Sequence, residues 1–400
     1  MFVIFGGSKK DNTASQNKMV ELSQKKIIIC GMDAAEWRLI NQFIERGGLP
    51  HFKRLKQIGT YGYLKTIEPT LSPIIWTSIL TGQTPDKHGI EHMYLDQGKG
   101  GMAPVSNSLR KVAALWDIFS GLGMSVGAIN WWATWPVQQI NGYMISDQMI
   151  SAHRRFWEDI GYGEKLEIEK NYLVHPFELI TELEPIMGIP GTSSFEEISR
   201  FVTMPASLKK NFKAPDKFRW NDLISKLEVL IMLDQTVENF YQYLKKHVPV
   251  DVAMLYLTGL DGAQHWFWEF MEPKKFKQRI TVPEGFDFSK TIENYYAFMD
   301  KMLGRIMEDI NDGGGFFLMS DHGCEAHPSY DPGPGQVSGC HENAPDGIFC
   351  AVGEGIKKGN RISLSIYDIA PTILAYMGLP VADDMVGQVK QGIFEKKEVH

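Results

Sequence analysis

The chain has 400 residues, with 41 basic and 48 acidic side chains and a formal charge of −7. Its 44% hydrophobic and 22% charged content is that of a globular protein and excludes a disordered, collagen-like or coiled-coil chain. The acidic balance argues against a dedicated nucleic-acid or anionic-membrane binder, because no basic excess exists to displace counterions. No apolar run reaches the ~18 residues of a membrane-spanning helix.

Residues 1–25 read as a polar leader, expected to be flexible. The apolar stretch Met1 to Phe5 is too short for a signal-peptide core, which points to a cytoplasmic protein. Ile27-Ile28-Ile29-Cys30-Gly31-Met32-Asp33 then reads as a buried strand ending in a carboxylate. Trp37, Leu39, Ile40, Phe43 and Ile44 follow at helical spacing until Gly47-Gly48 stops them. The section at about 150–250 has weaker strand signals and a helical stretch from Trp220 to Lys246, and it reads as an inserted helical cap. Beyond it come an amphipathic helix over 290–311, a Gly313-Gly314-Gly315 break, and a buried strand from Phe316 to Ser320. A strand from Gly347 to Val352 and a helix from Ile366 to Met377 complete the pattern. Alternating strands and helices predict an α/β fold with a mostly parallel sheet covered on both faces, in one catalytic domain over 26–400. In such sheets function collects at the carboxyl ends of the strands. The four cysteines, Cys30, Cys324, Cys340 and Cys350, form no CxxC pair. A disulfide framework is not expected at this size, and a single bridge stays open.

Four segments place metal-type ligands next to a strand end. Asp33 closes the first strand, where an Asp is most often the N-cap of the next helix. Ser72 precedes Pro73 and an apparent helix, so it is either an ordinary cap or a hydroxyl at the positive end of a helix dipole, where alkoxide and phosphate are both favoured. Asp261 and His265 are four apart and share a helix face, fit for an ion pair or for one cation. The strand Phe316–Ser320 runs into Asp321-His322-Gly323, and two adjacent ligand-type residues before a glycine are harder to explain structurally. His341 stands in a Gly- and Pro-rich loop, where a histidine is normally a surface residue.

Taken together, the segments form an ordered set. Gly-Met-Asp at Asp33, the run from Thr70-Leu71-Ser72-Pro73 through Trp76-Thr77-Ser78-Ile79-Leu80-Thr81-Gly82 to His88-Gly89-Ile90, and Thr258-Gly259-Leu260-Asp261-Gly262-Ala263-Gln264-His265 are its first part. Ser320-Asp321-His322-Gly323, Gly339-Cys340-His341 and the stretch from Asp368 to Pro380 complete it. In this set the chain resembles the alkaline phosphatase superfamily, in its type I phosphodiesterase/nucleotide pyrophosphatase branch, over about residues 26–395 apart from the variable middle. The resemblance implies an alkaline-phosphatase-like three-layer α/β/α fold and a site for two divalent metal ions, usually Zn2+. It implies that Asp261, His265 and His341 hold one ion. Asp33, Asp321 and His322 would hold the other, with the oxygen of Ser72, the catalytic nucleophile, completing that set. Three carboxylates and one alkoxide balance the four positive charges of two such ions. A hydroxyl with a lowered pKa then attacks phosphorus without a general base. Because Asp and His accept several divalent ions, manganese and iron stay open beside zinc.

Substrate contacts depart from the family. A phosphate-binding Asn is common shortly after the His-Gly motif, and that position is Met93 here, beside His92. His92, Met93, Asn107 and Trp132 are the candidate substrate contacts. No phosphate-binding Arg can be assigned, although Arg38 and Arg110 are candidates. A dianionic monoester gains more from a guanidinium than a diester does, so this departure favours diesters. A sulfatase reading fails because Pro73 follows Ser72 directly and no Arg lies between Ser72 and Thr81. The rings of Trp131–Pro136 and Trp266-Phe267-Trp268 are either core or a platform for a nucleobase. Cys324 and Cys340 are expected to be free thiols. The expected activity is hydrolysis of phosphodiesters or nucleotide pyrophosphates, the partner being a small phosphate ester that includes nucleotides. A phosphomonoesterase or phosphonate hydrolase on the same metals, a phospho-group transferase and a catalytically silent binding protein are the alternatives.

Overall fold

A computed structural model describes residues 25–98, 101–150, 169–310, 313–333, 336–343 and 345–395. The expected polar leader lies outside the described residues except for Lys25, as does the start of the expected cap, 151–168. No helix among the described residues is long and apolar enough to cross a membrane. The four cysteines are buried and unpaired.

A nine-stranded sheet forms the centre. Its strands in chain order are β1 (Ile27–Met32), β2 (Thr60–Lys65), β5 (Val126–Ile129), β6 (Gly142–Ile145), β7 (Val174–His175), β8 (Val252–Leu257), β9 (Gly315–Met319), β12 (Gly347–Gly353) and β13 (Asn360–Ser365). Two small hairpins, β3 (Tyr94–Gly98) with β4 (Gly101–Pro104) and β10 (Glu325–Ala326) with β11 (Gly339–Cys340), lie outside it. Spatial order is β13-β2-β12-β9-β1-β8-β5-β6-β7. The central run β9-β1-β8-β5-β6 is parallel throughout. β12 runs against both its neighbours, and β7 runs against β6. The sheet is therefore mixed but mostly parallel, as the sequence predicts.

Side chains alternate between two hydrophobic layers, because successive strand residues point to opposite faces. Ile28, Cys30 and Met32 pack with Ala253, Leu255, Leu257, Phe316 and Leu318 in one layer. Helices Trp37–Glu45, Pro50–Ile58, Leu223–His247, Gly259–Met271 and Thr291–Met307 cover it. Ile27 and Ile29 pack with Val252, Met254, Tyr256, Phe317 and Met319 in the other, under helices Ser72–Thr81, Leu115–Gly121 and Ile369–Tyr376. Burial on both faces explains why these strands read as continuous apolar runs.

Several boundaries move. The helix expected from Ile366 begins as a 3-10 turn, Ile366–Asp368, and becomes α-helical at Ile369. Ser72 is the first residue of its helix and Leu71 is its cap. The cap of helix Trp37–Glu45 is Glu36, without a side-chain bond, so Asp33 caps no helix.

Register decides where the ligands meet. Met32 pairs with Leu257, and Gly31 pairs with Met319, so β1, β8 and β9 stop at one level. Asp33, Thr258 and Ser320 leave the sheet there together. Ile129 pairs with Leu255, which brings Trp131 and Trp132 out at the same edge. Trp131 and Trp76 meet edge to face with centroids 5.5 Å apart, directly above Gly31. A Cβ on Gly31 would lie 2.9 Å from atoms of both rings. Gly31→Ala is therefore expected to destabilise the fold by about 1–3 kcal/mol through overpacking, read as a lower urea midpoint at unchanged m-value.

Candidate active site

Each candidate ligand is placed by an element that ends or begins at this sheet edge. Asp33 follows β1, Asp321 and His322 follow β9, and His341 follows the short β11. Asp261 and His265 lie one turn apart on helix Gly259–Met271, which follows β8. The start of that helix is held by Asp234, whose carboxylate accepts from the backbone N–H of Thr258 (3.0 Å) and Gly259 (3.1 Å). Tyr295 donates its hydroxyl to the same carboxylate at 2.7 Å. Gln264 donates to the carbonyl of Ala34 at 2.8 Å, tying the helix to the Asp33 turn. Ser338 donates its N–H to the carbonyl of His265 at 2.7 Å, tying the same helix to the His341 loop. Gly339 has to be small there, since a Cβ on it would lie 2.4 Å from the Gln264 carbonyl oxygen. Gly323 likewise supplies room, its Cβ position lying 3.0 Å from the Pro345 carbonyl oxygen.

The three histidines are oriented in the same sense. His322 Nδ1 is 2.9 Å from the Gly323 carbonyl and His265 Nδ1 is 2.7 Å from the Gly339 carbonyl. Both carbonyls can only accept, so each Nδ1 carries the proton. Thr70 donates its hydroxyl to the His341 carbonyl at 3.0 Å and so accepts from His341 Nδ1 at 3.2 Å. In the neutral rings every Nε2 is therefore left with a lone pair, an assignment made from the hydrogen-bond partners.

Those lone pairs face carboxylates. His322 Nε2 is 3.3 Å from Asp321 Oδ2 and 3.5 Å from Asp33 Oδ1, and His265 Nε2 is 3.4 Å from Asp261 Oδ1. All four of Asp33 Oδ1, Asp261 Oδ1, Asp321 Oδ2 and His322 Nε2 are buried without a hydrogen-bond partner. Ligand atoms of Asp261, His265 and His341 lie within 4.8 Å of one another, and so do those of Asp33, Asp261 and His322. Asp261 thus stands between the two groups, a sharing that sequence spacing did not reveal. Asp321 is held beside them by the N–H of Ala34 at 3.4 Å.

Electrostatics follow from this crowding. Burial pushes the Asp321 carboxyl well above its usual range, and Asp33 and Asp261 push it further. Asp261 is raised by loss of solvent, with His265 opposing and Asp33 adding. Burial drives the His341 ring down to about 2, helped by His322 and His265, so its lone pair is free at any working pH. Acceptors facing acceptors are stable only with a cation between them or with protons taken up. The residues present fit divalent cations, being oxygen and imidazole donors fixed by neighbouring hydrogen bonds.

Ser72 lines the same cavity, ≈ 260 Å³, as Asp33, Asp261, His265 and His341. The residue is the first of its helix and is 8% exposed. Met93 and Trp132 also line the cavity. His92 and Asn107 are not among the described residues that line it. His92 is exposed. Asn107 accepts from Arg110 and donates toward the Pro136 carbonyl. The candidate guanidiniums are engaged as well. Arg38 pairs with Glu36 at 2.7 Å and Arg110 with Asp117 at 2.6 Å. No Lys or Arg is among the residues that line the cavity. Of the flagged aromatics, Trp131, Phe267 and Trp268 are core, whereas Trp132 and Trp266 face the cavity.

Sequence reasoning missed Thr70, Tyr256, Asp234 and Trp220. Tyr256 donates its hydroxyl to Asp33 Oδ2 and accepts from Trp132 Nε1 at 2.8 Å. Its only sequence signal is a polar ring in an otherwise apolar buried strand.

The sequence model of the family described as type I phosphodiesterase / nucleotide pyrophosphatase matches residues 27–344. The chain belongs to this hydrolase family. Human ectonucleotide pyrophosphatase / phosphodiesterase 5 superposes with a TM-score of 0.50 at 12% identity, over 90% of this chain and 96% of that one. A mutant of the alkaline phosphatase PafA gives 0.52 at 13% identity, over 93% and 99%. At such identities the likeness is one of fold alone. The 2,3-bisphosphoglycerate-independent phosphoglycerate mutase of Vibrio parahaemolyticus is 33% identical over 94 residues, 23% of this chain and 18% of the mutase. That of Vibrio cholerae is 35% identical over the same length and shares. The match thus spans less than a fifth of these curated relatives.

Burial also raises Glu36 and Asp147 to about 7 and Asp234 to about 6, from ordinary values of 4.5 and 3.8. Stability from such raised groups is complete below the ordinary values and is lost as pH rises through 6–7. Every tenfold gain in proton affinity on folding corresponds to about 1.4 kcal/mol. Asp261 and Asp321 act in the same direction. The chelated protein is expected to melt at lower temperature at pH 8 than at pH 5. Added zinc should raise its Tm more at pH 8 than at pH 5, measured by calorimetry.

Proposed function

We propose that the chain is a metal-dependent hydrolase of phosphodiesters or nucleotide pyrophosphates, with Ser72 as nucleophile. The observation that carries this reading is the inward face of four unpartnered ligand atoms around a cavity that also exposes a serine at a helix start. Asp261, His265 and His341 would hold one divalent ion, zinc in the first instance. Asp33, Asp321, His322 and Ser72 would hold the other, with Asp261 near enough to contribute to both. Bound there, such ions would lower the Ser72 pKa and offset charge on the phosphoryl and leaving oxygens.

The chain's own part is positioning. Ser72 stands at the first turn of helix Ser72–Thr81, where the positive end of the helix dipole favours negative charge on its oxygen and on a bound phosphoryl group. Attack forms the Ser72 Oγ–P bond as the ester O–P bond breaks. Water then cleaves the phosphoseryl ester and regenerates the serine. Two in-line displacements give net retention at phosphorus. Tyr256 fixes Asp33 through its hydroxyl, and Asp234 fixes the helix start before Asp261.

Among the described residues no Lys or Arg lines the cavity, which supports diesters over monoesters. A dianion would need a guanidinium to replace its lost hydration, whereas a monoanionic diester loses less. Trp220, Val229, Leu230 and Leu233, which belong to the section expected as a cap, line the cavity, which supports a part for that section in substrate selection.

The reading is tested with the zinc-reconstituted chain on bis-(p-nitrophenyl) phosphate, p-nitrophenyl phosphate and the p-nitrophenyl ester of thymidine 5′-phosphate. Diesters should be hydrolysed faster than the monoester. Ser72→Ala should lose at least about 10³-fold in kcat while still binding metal, on the scale of removing a catalytic nucleophile. Full hydrolysis by Ser72→Ala at normal zinc content sinks the covalent route, and a faster monoester moves the protein to the phosphatases. Tyr256→Phe is expected to weaken metal binding by about 10–100-fold, measured by competition with a chelator.

A further inference from the structure

Besides its carboxylates and imidazoles, the cavity is lined by Trp132, Trp220 and Trp266 with Met93, Tyr94 and Leu233. A box of indoles is the usual receptor for an ammonium group, because the electron-rich ring faces attract a cation within about 6 Å. Here another cation already uses two of those rings. Lys226 precedes the lining residues Val229, Leu230 and Leu233 by three, four and seven positions on helix Leu223–His247, so it lies on the same stripe. It is 2% exposed, and its Nζ sits 5.4 Å from the Trp266 ring centroid and 5.9 Å from that of Trp220.

No carboxylate forms an ion pair with Lys226 among the described residues. The charge that favours its protonation at longer range is Glu269, which is itself bonded by the Ile280 N–H at 2.8 Å and the Tyr330 hydroxyl at 2.7 Å. Burial lowers the Lys226 ammonium to about 8 against that opposing effect, so the group is mostly charged at neutral pH. A second cation in the box would meet rings already polarised toward Lys226 and a like charge close behind them, with little water to screen it. An uncharged aryl or branched alkyl group meets the same walls without that penalty and gains from burial.

We propose that Lys226 is a specificity-determining residue that reserves the tryptophan-lined wall of the cavity for an uncharged apolar ester group and turns away a quaternary or primary ammonium group. The proposal rests on the phosphoester reading above for the placement of the phosphate end.

The test uses two phosphate monoesters of the same shape, phosphocholine and 3,3-dimethylbutyl phosphate, in which carbon replaces the charged nitrogen. Binding to the zinc-reconstituted Ser72→Ala chain is measured by titration calorimetry, so it is read without turnover. The neutral ester is expected to bind at least about tenfold more tightly. Lys226→Met, of similar length and uncharged, should bring the ratio to about twofold or less, and Lys226→Arg should keep it. Equal affinities in the Lys226-bearing chain, or a ratio unchanged by Lys226→Met, overturns the proposal. So does tighter binding of a carboxylate-ended ester of equal length, which would make Lys226 an anion receptor. Circular dichroism and Tm establish that the variants fold, and the comparison among ligands on the Lys226-bearing chain decides even if Lys226→Met does not. Hydrolysis of bis-(p-nitrophenyl) phosphate by the unaltered chain is followed separately. A binding preference without hydrolysis removes the hydrolase reading alone, and hydrolysis without a preference removes this proposal alone.

Discussion

Three carboxylates converge where none of the described residues that line the cavity is a Lys or Arg, and much of the architecture holds that arrangement in place. Asp33 and Asp321 are almost completely buried, and Asp261 stands between them and two histidines. Left to itself such a cluster would spread toward water or take up protons. It persists because the strands that deliver it are locked in register and buried on both faces. The hydrophobic layers, each fed by alternate residues of the same strands, offset the electrostatic cost that the site imposes. Stability and function are thus opposed at one edge of one sheet, and the fold resolves the conflict by placing its most buried strands there.

Orientation is supplied one layer further out, largely by backbone. Two of the histidine Nδ1 protons go to peptide carbonyls, of Gly323 and Gly339, and the third to a threonine hydroxyl that is itself committed to a carbonyl. A side-chain partner could rotate away, whereas a carbonyl fixed in a turn cannot, so the tautomers are dictated by chain path. Gly339 matters for this reason. Its carbonyl reaches His265 only because its Cα can sit against the Gln264 peptide. The same logic places Asp234, which shares no ligand role but anchors two N–H groups at the start of the helix that presents Asp261 and His265.

What the sequence made legible follows from what is local. Ile27 to Met32 and Phe316 to Met319 are unbroken apolar runs, so their strands and the carboxylates after them could be read directly. Asp261 and His265 could be read because four residues is a helical turn. The antiparallel direction of β12 could not be read, since Gly347 to Gly353 is as apolar as a parallel strand and direction depends on connections. Nor could the partners of Arg38 and Arg110, which are found only by folding. Glu36 is two residues from Arg38, but Asp117 and Gln138 reach Arg110 from separate segments. Tyr256 and Asp234 were invisible because each acts through tertiary contacts with a group more than 20 residues away.

The polar and apolar residues of the cavity come largely from different parts of the chain, and this has a consequence for how such a protein can change. The polar part is made by residues that leave β1, β8 and β9 in register, and a shift in any of them disturbs all the others. The apolar part is made mainly by helix Leu223–His247, by Trp220 before it and by single rings such as Trp132 and Trp266. Its residues touch the polar part through few bonds, chiefly Trp132 to Tyr256 and Asp234 to the start of helix Gly259–Met271. Substitutions at Val229, Leu230 or Leu233 can reshape what the cavity accepts while the carboxylates and imidazoles keep their places. Substitutions at Tyr256 or Asp234 cannot, because these two residues are where the selecting wall and the reacting centre share hydrogen bonds.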